Sequence, residues 1–201
     1  MIQNNGIHKT YYENGQLESE INYIDGKENG ICKWYYENGQ LEYESNYKNG
    51  KHNGVSKTYY ENGKLKSEIN YVDDIENGAC KWYYENGYLE IDTNFKDGLE
   101  NGISKSYYEN GKLKYEMNYV DGKENGICKW YYENGQLESE SNYVNGKEVS
   151  SKLFNQNGKL EFDDTNNDDT VNSSNKTSSY IFAAIIIVLI ALIRWIKFTV
   201  N

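Results

Sequence analysis

The chain has 201 residues, a net charge of −10 and a mean hydropathy of −0.91, with 21 tyrosines, 18 glycines, no proline and a single arginine, Arg194. An acidic balance argues against duplex nucleic acid, because phosphate binding needs a cationic face that releases counterions. With so few aliphatic residues, any core must be built mainly from tyrosine.

Met1 to Asn4 carries neither a basic region nor an apolar run, so no signal peptide is expected. From Asn5 a 24-residue unit repeats six times without a gap. Its opening Asn-Gly recurs at Asn5-Gly6, Asn29-Gly30, Asn53-Gly54, Asn77-Gly78, Asn101-Gly102 and Asn125-Gly126. Each copy carries Tyr-Tyr-Glu-Asn-Gly near its middle and Asn-Tyr or Asn-Phe near its end. A fixed period of this size predicts a stacked array in which each unit contacts only its neighbours. Catalysis is then disfavoured and an extended surface favoured.

Within the second copy, Ile31 to Tyr36 is rich in β-formers, Glu37 to Gln40 reads as a turn, and Leu41 to Tyr47 alternates apolar with polar. Asn-Gly between two such runs signals a hairpin. A two-residue turn at Asn38-Gly39 places Glu37 opposite Gln40, Tyr36 opposite Leu41, Trp34 opposite Tyr43, Cys32 opposite Ser45 and Gly30 opposite Tyr47. The other face pairs Tyr35 with Glu42, Lys33 with Glu44 and Ile31 with Asn46. The same register sets a lysine against an acid in every copy, from Lys9–Glu20 to Lys129–Glu140, and a one-residue slip would lose that match. It also sets a glycine against an aromatic in every copy, so that a ring can lie over the missing side chain.

Copies alternate. His8, Ser56 and Ser104 face Ile21, Ile69 and Met117, whereas Cys32, Cys80 and Cys128 face Ser45, Thr93 and Ser141. Trp34, Trp82 and Trp130 occur only in the cysteine copies, so the pairing pattern has a period of 48 residues. The segment Asn49 to Gly54 reads as the second turn. Twelve strands and a degenerate capping half-unit (residues 151–162) follow, an all-β, single-layer antiparallel meander about 60 Å long. Asp74 in place of the turn glycine, with Ile75 and Leu99 in place of its lysine, suggests an irregularity near the middle.

Residues 163–179 are acidic and polar and are expected to be a disordered linker. Ile181 to Ile193 is apolar throughout, and Arg194 and Lys197 can snorkel, so residues 180–198 read as one transmembrane helix of roughly 28 Å. The alternative is a buried helix, but no globular domain lies nearby to bury it. The expected location is a membrane, with a single-pass C-terminal anchor. Basic residues after the helix favour repeats outside, whereas the missing signal peptide favours cytoplasmic repeats, and the latter is the orientation expected.

Tyr-Tyr-Glu-Asn-Gly-Lys-Leu-Lys-Ser-Glu-Ile-Asn-Tyr (residues 59–71), followed by a Gly/Asn-rich turn, resembles the MORN repeat in its bacterial variant form. The resemblance covers residues 5 to about 162 and implies an antiparallel hairpin array acting as a scaffold or interaction surface, in some members with membrane association. Similar bacterial arrays are also called YwqK-type antitoxins, so a toxin partner is the alternative to a scaffold. Lipid binding transfers poorly to this chain, whose array is acidic and whose lysines face acids. Residues 33–39 also resemble choline-binding cell-wall repeats, although those are shorter and carry a second tryptophan.

No catalytic residue, cofactor or metal site is expected. The three cysteines lie four strands apart, roughly 19 Å, too far for a disulfide, and read as small core residues. His8 and His52 occupy different registers without a Cys/His cluster. The candidate partner-binding residues are Tyr11, Tyr35, Tyr59, Tyr83, Tyr107 and Tyr131, which share the charged face about 10 Å apart. Tyrosine offers contact area at low entropic cost, although such rows also serve structurally. The partners expected are a membrane and an unidentified protein.

Overall fold

The computed structural model describes residues 5–165, which form one open antiparallel sheet. Its first half comprises β1 (Gly6–Tyr11), β2 (Leu17–Ile24), β3 (Lys27–Glu28), β4 (Gly30–Tyr35), β5 (Leu41–Lys48), β6 (Lys51–Tyr59), β7 (Leu65–Val72), β8 (Ile75–Tyr83) and β9 (Leu89–Lys96). The second comprises β10 (Leu99–Glu100), β11 (Gly102–Tyr107), β12 (Leu113–Val120), β13 (Lys123–Glu124), β14 (Gly126–Tyr131), β15 (Leu137–Val144), β16 (Lys147–Phe154) and β17 (Leu160–Asp163). The chain meanders, each path pairing with the one before it. β3 and β4 are successive parts of one path along β2, as β10 and β11 are along β9, and β13 and β14 along β12. Among the described residues no helix is long and apolar enough to cross a membrane. The helix expected at 180–198, and the linker from residue 166 on, lie outside the described residues.

The expected register holds from Trp34 outward: Gly30↔Tyr47, Cys32↔Ser45, Lys33↔Glu44 and Trp34↔Tyr43. It fails beside the turn. Tyr35 pairs with Leu41 across a bulge, where Tyr36 was expected opposite Leu41 and Tyr35 opposite Glu42. The loop has three residues: the Gly39 N–H donates to the Tyr36 carbonyl and the Tyr36 N–H to the Gln40 carbonyl. Only Gly39 has positive φ, at 84°, so this is a type I turn closed by a left-handed glycine. The Asn38 side chain accepts from the Gln40 N–H at 2.8 Å and holds the turn shut. The longer loop removes one residue from the register, and the bulge restores it.

The two-residue turns with positive φ at both central positions are those joining one repeat to the next. They fall at Asp25-Gly26, Asn49-Gly50, Asp73-Asp74, Asp97-Gly98, Asp121-Gly122 and Asn145-Gly146. Asp74 takes φ 72° without a glycine's freedom, and its carboxylate accepts the His52 N–H at 2.7 Å. The turn keeps its form and β8 runs on from Ile75 to Tyr83, while the register against β7 shifts between Ile69 and Tyr71 as it does between Ser45 and Tyr47 in the preceding repeat. The opening Asn-Gly of each unit is not part of this turn. At Asn29-Gly30 it forms a bulge between β3 and β4, stitched by the Asn22 side-chain amide donating to the Asn29 carbonyl at 2.6 Å.

The Lys–acid match extends beyond single hairpins. Glu20 pairs with Lys33, Glu44 with Lys57, Glu68 with Lys81, Asp92 with Lys105, Glu116 with Lys129, and Glu140 with Lys152, across the boundaries between repeats. The outer face therefore carries one alternating row of charge from Lys9 to Asp163. Exposed ion pairs stabilise little one by one, but a strand slipped by one residue would lose its match on both sides at once. Ion pairs close at 2.7 Å for Lys9–Glu20 and 2.9 Å for Lys105–Glu116.

The inner face holds the core. Cys32, Cys80 and Cys128 have 0% exposure, and Ser45, Ser56, Thr93, Ser104 and Ser141 are buried beside them. Small side chains are enclosed on a single-layer sheet because taller rings stand on either side. Trp34 and Tyr43 lie 5.1 Å apart by ring centroid, and His52 stacks between Tyr47 at 4.4 Å and Tyr71 at 5.3 Å. The cysteines are free thiols, with their ionisation pushed up by burial.

Candidate interaction surface

The second tyrosine of each Tyr-Tyr pair links one repeat to the next. The Tyr12 hydroxyl donates to the Tyr35 carbonyl, Tyr36 to Tyr59, Tyr60 to Tyr83, Tyr84 to Tyr107, Tyr108 to Tyr131, and Tyr132 to Phe154, at 2.6–2.9 Å. The turn asparagines repeat the link: Asn14 donates to the Glu37 carbonyl at 3.0 Å and Asn86 to the Glu109 carbonyl at 2.8 Å. Tyr-Tyr-Glu-Asn-Gly thus closes its own turn and fastens the next. Sequence reasoning missed this, since the acceptor is a backbone carbonyl in the following repeat.

The first tyrosine of each pair is the candidate partner-binding residue. Tyr11, Tyr35, Tyr59, Tyr83, Tyr107 and Tyr131 follow the ladder lysines on the outer face. Tyr11, on the terminal strand, is 60% exposed, and the other five are half-buried. The Tyr59 hydroxyl donates to Glu44 at 3.1 Å. On the far side of the charge ladder runs a row of exposed aliphatics, Ile7, Ile31, Val55, Ile103 and Ile127. The outer face therefore combines rings, a charge-matched strip and an apolar stripe. Among the described residues, no group of three or more His, Cys, Asp or Glu is placed to hold a metal ion. His8 packs edge-on against Tyr23, and His52 sits among tyrosine hydroxyls and Ser45.

Burial first, and then neighbouring glutamates or, at Tyr47, the Tyr43 hydroxyl, raises the ionisation of many phenols. Tyr59 and Tyr84 are pushed up to about 12, and Tyr47, Tyr119 and Tyr143 are raised as well. A folded-state value above the unfolded value of about 10 stabilises the fold fully below pH 10, and this contribution is lost as pH rises through the folded value. The melting temperature is therefore expected to fall steeply between about pH 10 and pH 12. Circular dichroism melts across that window check it, and a flat profile would show that the phenols are not desolvated.

These features define a β-hairpin repeat array whose units are fastened to their neighbours by side-chain-to-backbone links. The sequence profile of the MORN repeat variant matches residues 4–25, 28–49, 53–73, 76–97, 100–121 and 124–145. The chain belongs to the MORN repeat variant family. A search of curated protein sequences finds no match.

Proposed function

We propose that this array is a membrane-tethered scaffold that binds a protein partner through its outer face. The observation that carries this reading is the exposed stripe of Ile7, Ile31, Val55, Ile103 and Ile127, reduced to Ala79 in the fourth repeat and facing the tyrosine row across the charge ladder. Single exposed apolar residues are ordinary, but a row at the repeat spacing on one face marks an interaction surface. The charged ladder between the stripes is internally matched, so a partner meets no unpaired row of one sign. The tether is the apolar segment 180–198, with the repeats on the cytoplasmic side.

Full-length protein is expected to stay with the membrane fraction after a high-salt wash, because a spanning helix does not depend on screened charges. A form ending at Asp164 should be released. Changing Tyr59, Tyr83 and Tyr107 together to serine removes three central rings of the row. Co-purification of the partner from detergent extracts should then fall sharply while the far-UV spectrum is retained. Unchanged co-purification would remove the tyrosine row from the binding surface, and release of the full-length chain by salt would remove the tether.

A further inference from the structure

The inner face differs from the outer one in charge. Glu28, Glu76, Glu100, Glu124 and Glu148 each stand opposite the aromatic residue near the end of their repeat, on the face of the cysteines, with His52 in the equivalent place of the second repeat. Two of them are turned toward that face, Glu100 accepting from the Thr93 hydroxyl at 3.1 Å and Glu148 from the Tyr143 hydroxyl at 3.0 Å. The bulge beside each turn brings a second charged row to the same face: Glu18, Glu42, Glu90 and Glu138, interrupted by Lys66 and Lys114. Glu42 lines a recess with Trp34 and Tyr36, although regular pairing would have set it on the outer face. Two rows of acids thus border a trough floored by small residues and walled by rings.

One recess of the trough lies where the alternation of repeats replaces a tryptophan with Thr58. Trp34 and Trp82 flank Thr58 and Ser67, whose hydroxyls bond at 2.6 Å, and with Tyr36, Glu42, Tyr43, Tyr59 and Lys66 they line a recess of about 520 Å³. Indole faces beside a carboxylate suit a cation with an aliphatic stem. The protein already uses this chemistry on the same rim: the Lys66 ammonium lies 5.6 Å from the Tyr60 ring centroid, and that of Lys114 lies 5.8 Å from Tyr108.

We infer that this trough docks an extended, basic segment of a protein, with one lysine or arginine side chain seated in the recess that Trp34, Trp82 and Glu42 line. Charge complementarity selects the occupant, since acids outnumber lysines in both bordering rows. Spacing narrows it further. Repeats advance by two strands, about 10 Å, and in an extended chain every third residue is also about 10 Å from the last. The segment therefore carries its basic residues at every third position. The tyrosine row meets this recess only at Tyr59, so Tyr83 and Tyr107 report on the outer face and the two sites can fail separately.

The test uses full-length protein in neutral detergent and fluorescein-labelled peptides of about fifteen residues, read by anisotropy, with lysine at every third position among serine and glycine. A control peptide has the same composition with its lysines in one block. The spaced peptide is expected to bind about tenfold more tightly than the blocked one. Glu42→Gln combined with Glu90→Gln should abolish that preference, and Trp82→Leu should weaken binding about tenfold. Lys66→Gln should strengthen binding, and the outer-face Tyr83→Ser should leave it unchanged. Glu42 is exposed and Glu90 half-buried, so the glutamine changes keep the test valid if a tryptophan variant unfolds. Equal binding of the two peptides, indifference to the Glu42 and Glu90 changes, or preferential capture of anionic lipid vesicles would each overturn the assignment.

Discussion

Replacing Tyr60, Tyr84 and Tyr108 together with phenylalanine is expected to remove about 3 kcal/mol from the array, about 1 kcal/mol for each lost link. The rings remain, so the loss isolates the hydroxyls, which donate to the carbonyls of Tyr83, Tyr107 and Tyr131 at 2.6–2.8 Å. Those links join consecutive repeats in the middle of the array. In a one-dimensional array stability is a sum of unit and interface terms, so weakening the central interfaces should also broaden or split the unfolding transition. Urea titration followed by far-UV circular dichroism reads both effects. A single transition at an unchanged midpoint would mean that the carbonyls are as well served by water.

The second large effect belongs to the floor of the inner face. Cys80 is wholly enclosed, with Thr93 opposite it in the hairpin and Ile69 opposite it on the preceding strand. Cys80→Leu forces extra methylenes under the rings and should cost about 1–3 kcal/mol. Cys80→Ser should cost less, because Ser56 and Ser104 occupy the same place in the alternate repeats and are buried there. Urea midpoints of the two variants measure the difference. If leucine proved as well tolerated as serine, the enclosure of this row would be wrong.

Charge made most of the sheet legible in the sequence. A lysine facing an acid in every copy is compatible with one register only, and the observed pairs Lys9↔Glu20, Lys33↔Glu44 and Lys129↔Glu140 follow it. The turns were less legible, because Asn-Gly suits a two-residue turn, a left-handed closure and a strand bulge equally well. Asn38-Gly39, Asn49-Gly50 and Asn29-Gly30 adopt three different geometries. What separates them is loop length, and a three-residue loop with a compensating bulge leaves the outer register unchanged. That compensation is why the reading of Tyr35 opposite Glu42 failed while Trp34 opposite Tyr43 held. It also hid the candidate trough, since only the bulge brings Glu42 beside Trp34. The tyrosine row was visible from spacing alone, but its burial was not: the strands on either side half-bury every member except Tyr11.

The most direct test of the scaffold reading is in vivo photo-crosslinking through the outer face. Benzophenone-bearing residues would replace Tyr59, Tyr83 and Tyr107 one at a time in the full-length chain, with Asn62, in a turn, as the control position. Irradiation is expected to yield a protein adduct of one common mass from all three tyrosine positions and none from Asn62. Absence of any adduct from the tyrosine positions, or the same adducts from Asn62, would contradict a partner-binding outer face.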